Sequence, residues 1–216
     1  MGVNLTPIIY KTEVQLNDLR GKSLAVDANN VLYQFLSLVR TRNGTPLMDS
    51  HGRITSHLTG LMFRSTRLMH DFGIDLIFAF DGKPPPLKQK ELDRRRELRE
   101  RSKREWKEAL MAGDYVKASS KAVMTSRLTK TLVADAKKLL ELLGIPYVQA
   151  PGEAEAQASY MAKRGDVWGA SSRDYDSLLF GTPRLLRYLT ISGKEFLPSK
   201  GLSRPLKPEL IELETL

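Results

Sequence analysis

Four apolar runs in this chain end in carboxylates. Ser23-Leu24-Ala25-Val26 leads to Asp27, and Ile77-Phe78-Ala79-Phe80 leads to Asp81. Tyr147-Val148-Gln149-Ala150-Pro151-Gly152 leads to Glu153 and Glu155, and Val167-Trp168-Gly169-Ala170-Ser171-Ser172-Arg173 leads to Asp174 and Asp176. If these runs are strands of one parallel sheet, all of these acids meet at one edge. Close carboxylates cannot all stay ionised without cations. The matching cations are hard and oxygen-seeking: Mg²⁺, with Mn²⁺ also suited. Two such ions about 4 Å apart can hold a phosphodiester, activate water and stabilise the leaving oxygen. Water is the attacker in that chemistry, and no His or Cys nucleophile is required.

Taken singly, the acids say less. Asp174 and Asp176 are two residues apart, which puts both on one side of an extended segment. Glu153 and Glu155 share that spacing at a helix start, where acids also stabilise the macrodipole without any metal. Asp174-Tyr175-Asp176-Ser177-Leu178 resembles an aspartyl phosphatase motif, but that motif opens its domain and here it comes late. The recurrence of acids at all four strand ends is what points to a shared metal site.

The elements that must position these acids follow from the pattern. The chain has 216 residues and 41% hydrophobic content, enough for one α/β domain or a domain with an insertion. Strands are expected at 23–27, 74–80, 145–149, 167–170 and 184–190. Helices are expected at about 28–41, where Val31, Leu32, Phe35, Leu38 and Val39 share a face, at 56–70, and from Ala154 to Lys163. Gly44, Pro46, Asp49 and Gly52 mark a loop. The connections are long enough for crossover helices, which makes a parallel, helix-covered sheet the default. The tail from Lys200 to Leu216 reads as the start of a helix, and no internal repeat is present.

Lys83-Pro84-Pro85-Pro86 breaks regular structure after the second strand. A highly charged segment, Leu87 to Leu110, follows, with basic residues outnumbering acids. Pairs such as Glu91–Arg95 and Glu97–Arg101 at i,i+4 favour a helix there. One reading is a solvated surface helix; the other is an insertion that projects from the sheet and grips phosphates. Gly113-Asp114 breaks it, and a second helix, about Tyr115 to Leu143, returns the chain, its Ala134–Leu143 part amphipathic and stopped by Gly144.

The net charge of +9 favours anionic partners, nucleic acid first. The absence of cysteine excludes disulfides and thiolate metal sites. His51, His57 and His70 are scattered and are assigned no chemistry. No apolar stretch is long enough to span a membrane.

These stretches together resemble the archaeal flap endonucleases, within the structure-specific 5′ nucleases. The resemblance rests on Val26-Asp27-Ala28-Asn29, Gly52-Arg53-Ile54-Thr55-Ser56-His57-Leu58, Phe80-Asp81-Gly82-Lys83-Pro84-Pro85, Ala150-Pro151-Gly152-Glu153-Ala154-Glu155-Ala156-Gln157 and Asp174-Tyr175-Asp176-Ser177-Leu178-Leu179-Phe180-Gly181. It covers essentially the whole chain. It implies an α/β, PIN-like, mainly parallel sheet covered by helices, forming one nuclease domain over 1–216 with a helical arch inserted at 84–128. It also implies two Mg²⁺ ions, the first served by Asp27, Asp81, Glu153 and Glu155, the second by Asp174 and Asp176. Lys88 and Arg95 match arch-base positions at the scissile phosphate. Tyr33 matches an aromatic that stacks on the nucleotide at the cleavage point, and Arg40, Thr55 and Arg64 match DNA-contacting positions. Without the resemblance, Tyr33 reads equally well as a core aromatic.

By the same resemblance the substrate is DNA with a 5′ flap, in replication and repair, and the location is cytoplasmic, at the archaeal nucleoid. Gly2, which with Thr6 also fits a short myristoylation pattern, matches an N-terminus that packs near the site. Arg173 departs from the pattern, where an uncharged residue such as Gln is expected. The family's pattern continues past residue 216 with a seventh aspartate, an element gripping duplex DNA through K⁺, and a tail that binds the sliding clamp. A different class is therefore kept alongside: a DNA-binding portion with little or no turnover.

Overall fold

In a computed structural model, residues 9–41, 44–84, 88–197 and 202–215 are described. The expectation for Gly2 lies outside them. In chain order the elements are β1 (Thr12–Glu13), β2 (Ser23–Asp27), α1 (Ala28–Leu38), α2 (Ser56–His70), β3 (Asp75–Phe80), α3 (Gln89–Met111), α4 (Tyr115–Val123), α5 (Lys130–Leu142), β4 (Tyr147–Gln149), α6 (Ala154–Arg164), β5 (Gly169–Ser171), α7 (Asp176–Leu179), β6 (Arg184–Arg187), β7 (Lys194–Leu197), β8 (Leu202–Pro205) and β9 (Glu209–Glu212).

The main sheet has the order β1-β9-β6-β5-β2-β3-β4. β4, β3, β2, β5 and β6 run parallel, while β9 and β1 add an antiparallel margin. The fold is thus the mainly parallel, helix-covered sheet expected from the sequence. From β2 the chain first builds outward through β3 to β4, then returns to the other side of β2 with β5. That reversal is a topological switch point, and the crevice beyond the strand ends there is where open α/β sheets bind ligands.

Alternation along β2 sets the two layers. Leu24 and Val26 join Leu32, Phe35, Leu61, Leu68, Phe78, Phe80 and Leu140 in the larger core, beneath α1, α2 and α5. Ala25 faces the other way, into a cluster with Ala158, Ala162, Val167 and Ala170 beneath α6. Small residues on both surfaces bring α6 close to the sheet. His57 is fully buried, and burial lowers its pKa, favouring the neutral ring. It is a core residue.

Several sequence expectations are corrected. The helix expected over 28–41 stops at Leu38. The strand expected over 184–190 stops at Arg187, because Tyr188 turns the chain with φ 57°. The helix expected over 115–143 is two helices. Ser126 is buried in the break, and Thr129 caps α5 by accepting from the Leu132 amide. The tail, expected to begin a helix, forms β8 and β9, with only a 3₁₀ turn at Leu213–Thr215. Pro205 and Pro208 disfavour a continuous helix there, and pairing decides the rest: Ile211 is fully buried opposite Leu185.

α3 and α4 form a helical hairpin between β3 and α5. Ser102, Ala109, Ala118 and Ala122 are buried, small residues that allow the two helices to approach closely. Gly113 (φ 71°) turns the chain, and Asp114 caps α4 by accepting from the Lys117 amide. Arg95 pairs with Glu91 as expected, but Arg101 pairs with Glu105 rather than Glu97. Lys121 of α4 reaches the same Glu105 at 2.6 Å, so this carboxylate holds a cation from each helix.

Candidate metal centre and nucleic-acid interface

Each acid occupies a strand end for a local reason. Asp27 closes β2 and also caps α1, its Oδ1 accepting from the Asn30 amide at 3.0 Å. Asp81 follows β3, and its Oδ1 accepts from the Ala154 amide, one of the otherwise unpaired donors at the start of α6, at 2.8 Å. Glu153 is the N-cap residue of α6 and Glu155 lies in its first turn. Asp174 follows β5, and Asp176 opens α7. The extended geometry expected for Asp174 and Asp176 is not found. Tyr175 between them is helical (φ −80°, ψ −8°), so the two-residue spacing there does not put both acids on one side of a strand.

Hydrogen bonds knit these ends together. Asn29 Nδ2 donates to Asp81 Oδ2 at 2.8 Å, and Asn30 Nδ2 donates to Asp174 Oδ2 at 3.1 Å. Ser172 Oγ donates to Glu155 Oε1 at 2.7 Å and accepts from the Asp174 amide at 3.2 Å. Gly82 N donates to Gly152 O at 2.6 Å, drawing the ends of β3 and β4 together. Lys88, at the foot of α3, forms an ion pair with Glu153. Asn29, Asn30 and Ser172 were not singled out by sequence reasoning. Their signal was position: short polar residues within three of an acid-bearing strand end.

The electrostatics report crowding. Burial first, then the charges of Glu155, Asp81 and Asp174, push Asp27 up to about 8 despite the Asn30 amide. Burial first, then Asp174 and Asp176, push Glu155 up to about 7, opposed by the Ser172 hydroxyl and Lys88. The neutral, protonated forms of these two acids relieve the crowding. Among the described residues no three acids already converge on one metal position, as expected where like charges repel and Lys88, Asn29, Asn30 and Ser172 hold individual carboxylates. The donor set nonetheless fits a hard divalent ion: every group is oxygen, and the buried Asn29 Oδ1 beside Asp81 has no hydrogen-bond partner.

A pH dependence follows. The folded chain holds protons on Asp27 and Glu155 that the unfolded chain, with ordinary carboxylates, has lost. Metal-free stability is therefore expected to fall as pH rises from about 4 through about 8. If Mg²⁺ binds these carboxylates it displaces those protons, so its stabilisation is expected to grow over the same range, reaching about 2.7 kcal/mol at 100 times Kd. Thermal melts with EDTA and with Mg²⁺ at pH 5 and pH 8 check this; equal Mg²⁺ effects at both would contradict it.

The remaining sequence candidates fall around this centre. Tyr33 on α1 is 42% exposed, so it is not a core aromatic. Arg95 is exposed on α3, seven residues from Lys88 and hence on a similar helix face. Arg40 has its guanidinium engaged with Leu36 O, Gly44 O and Ser126 Oγ, fastening the end of α1 to the break between α4 and α5. Thr55 is the N-cap residue of α2 without a side-chain cap bond. Arg64 donates to Gln34 Oε1 at 2.9 Å and stacks on Phe35; burial first, then Arg173, push it down to about 10.

The sequence matches the XPG N-terminal domain over residues 1–102 and the XPG I-region over residues 144–216. The chain belongs to the XPG family. Flap endonuclease 1 of Pyrococcus abyssi is 56% identical over 99% of this chain and 62% of its own length. Flap endonuclease-1 from Methanococcus jannaschii superposes with a TM-score of 0.70 at 43% identity, over 99% of this chain and 64% of that one. The catalytic core of Rad2 in complex with DNA substrate gives 0.66 at 28% identity, over 95% of this chain and 52% of that one. This XPG chain therefore spans about three fifths of the length of the relatives it matches. The segment between the two XPG regions, 103–143, holds the end of α3 together with α4 and α5. No helix among the described residues is long and apolar enough to cross a membrane.

Proposed function

We propose that this chain carries the nuclease centre of a 5′ flap endonuclease that hydrolyses DNA phosphodiesters with divalent cations, Mg²⁺ first and Mn²⁺ as an alternative. The observation that carries the reading is the meeting of all four acid-bearing strand ends at the switch point, with the foot of the basic α3–α4 hairpin ion-paired to one of them. In this reading Asp27, Asp81, Glu153 and Glu155 hold one ion and Asp174 and Asp176 the other. Ions bound there supply Lewis acidity to the phosphoryl oxygens and lower the pKa of a water molecule.

The chain's own groups do the rest. Asn29 and Asn30 fix Asp81 and Asp174 relative to α1, and Ser172 fixes Glu155 relative to β5. Lys88 and Arg95, two turns apart, present positive charge along one side of the arch, spanning about 10 Å. They neutralise the phosphate at the cut. Tyr33 offers an exposed ring on which a base can stack, a contact worth about 1–3 kcal/mol per base. Arg64 and Thr55 act on the DNA backbone. Residues 84–128 act as the arch that admits the 5′ strand.

The test is Mg²⁺-dependent incision near the junction of a labelled 5′-flapped duplex, compared with the same strands fully paired. Incision of the flap alone, abolished by EDTA, is the expected result. The second reading, DNA binding with little turnover, is favoured by the described residues holding no three acids on one metal position. Binding that survives EDTA, with no cleavage in Mg²⁺ or Mn²⁺, would establish it instead.

A further inference from the structure

A cavity of about 40 Å³ opens on the β2–β5 side of the carboxylate cluster. Its walls include Asp27 and Ser172 from the centre already described, apolar Phe35 and Leu68, and three residues that centre does not use: Arg64, Arg173 and Tyr188. The space exceeds that of a single water molecule. The two guanidinium groups bring positive charge to the wall of a partly apolar cavity, a setting that favours an anion.

Tyr188 makes the arrangement specific. It is the one non-glycine residue with positive φ among the described residues, at 57°, a strained conformation for a bulky side chain. The strain is held by its surroundings. Arg187 Nη2 donates to the Tyr188 hydroxyl at 2.6 Å, and the Arg187 guanidinium lies 4.5 Å from the Tyr188 ring centre. Arg187 is itself buried and paired with Glu209, and its Nε donates to Arg173 O at 2.9 Å, fixing the backbone of residue 173. The Arg173 guanidinium stacks on the Tyr188 ring at 5.5 Å. A stiff, neutralised arginine and a strained tyrosine thus set the place of a second arginine beside Asp174.

We propose that Arg173, seated on Tyr188 and lining one cavity with Arg64, is a phosphate-binding residue for the DNA backbone. The proposal rests on the nuclease reading for its substrate. Its position gives it a different phosphate from the one Lys88 approaches. Glu153, the partner of Lys88, follows β4, and Arg173 follows β5; in the order β4-β3-β2-β5 three strand spacings separate them. That is about 14 Å at ~4.8 Å per spacing, more than the separation of neighbouring phosphates on one strand. The acids lie between the two cations, so the backbone is held on both sides of the cut. An arginine fork suits a phosphate, since it can donate two parallel hydrogen bonds.

The experiment measures binding of a 5′-flapped duplex in EDTA by fluorescence anisotropy, as a function of NaCl, for the chain and for Arg173→Gln and Tyr188→Gly. Glycine accepts the φ of residue 188 without strain, so the second variant removes the seat and keeps the backbone. Loss of one phosphate contact is expected to weaken binding roughly tenfold and to reduce the slope of log Kd against log salt by about one, for any DNA sequence. Tyr188→Gly should give the same change, and the double variant no more. Inorganic phosphate is the second arm: competition at millimolar concentration that vanishes in Arg173→Gln would mark the pocket as a free-phosphate site instead. An unchanged salt slope in Arg173→Gln overturns the proposal, and so does a shift confined to the Mg²⁺ concentration needed for cleavage. If the slope changes as expected while no variant cleaves, the phosphate contact stands and the nuclease reading falls. If the unaltered chain binds no DNA, both fall.

Discussion

Replacing Asp81 with alanine is expected to remove Mg²⁺-dependent flap cleavage by about 10³-fold or more, while DNA binding in EDTA stays equal or tightens. The magnitude follows from the several kcal/mol that a metal ion contributes to phosphoryl chemistry, at about 1.4 kcal/mol per factor of ten. The sign of the binding change follows from removing a negative charge next to phosphates. Asp81 also accepts from Asn29 and from the first amide of α6. Alanine strands both donors, at a cost of about 1–2 kcal/mol. Asp81→Asn retains a neutral acceptor there. It should melt closer to the unaltered chain yet cleave no better than Asp81→Ala. Equal cleavage by Asp81→Asn and the unaltered chain would mean that the charge is not used and that the metal assignment is wrong.

The second large effect comes from a residue with no side chain. A Cβ on Gly82 would stand 2.2 Å from Ala150 O and 2.7 Å from Pro151 C, both backbone atoms that cannot swing aside. Overpacking of that kind costs about 3 kcal/mol, or a melting temperature lower by roughly 6–12 °C for a chain of this size. Gly82→Ala must also pry the end of β3 from that of β4, shifting Asp81 against Glu153 and Glu155. A misplacement of about 1 Å can cost on the order of 10²-fold in rate. Gly152→Ala is the control: a Cβ there meets nothing within 4 Å. Similar melting of the two variants would show that the close approach at Gly82 is not real.

The carboxylate centre was legible because it obeys a rule of position. Buried parallel strands read as short apolar runs, and ligand groups follow their ends. The larger core was legible for the same reason, from runs such as Leu76–Phe80. What escaped were features decided by partners distant in sequence. Pro205 and Pro208 argue against a long helix near Leu210, but only its pairing with Leu186 makes it a strand. Nothing near Ser126 announces a helix break; Ser37 and Arg40, more than eighty residues away, meet it there. The helical geometry of Tyr175 was missed because spacing alone cannot tell a strand end from the first turn of α7. Arg173 was visible as an odd residue, but its seat on Tyr188 required a strained backbone that local preferences argue against.

The order of the strands has a consequence for how the protein comes into being. The seam between β2 and β5 joins residues 145 apart, as in the bond from the Trp168 amide to Ser23. The α3–α4 hairpin is built from neighbours in sequence and can form as soon as it is synthesised. Long-range parallel pairing closes late. Asp27 and Asp81 leave the ribosome well before Glu155 and Asp174, and during that interval they are two isolated acids. The cluster of charges exists only once the sheet has closed around it. A nascent chain can therefore carry a folded basic hairpin before its acids have met.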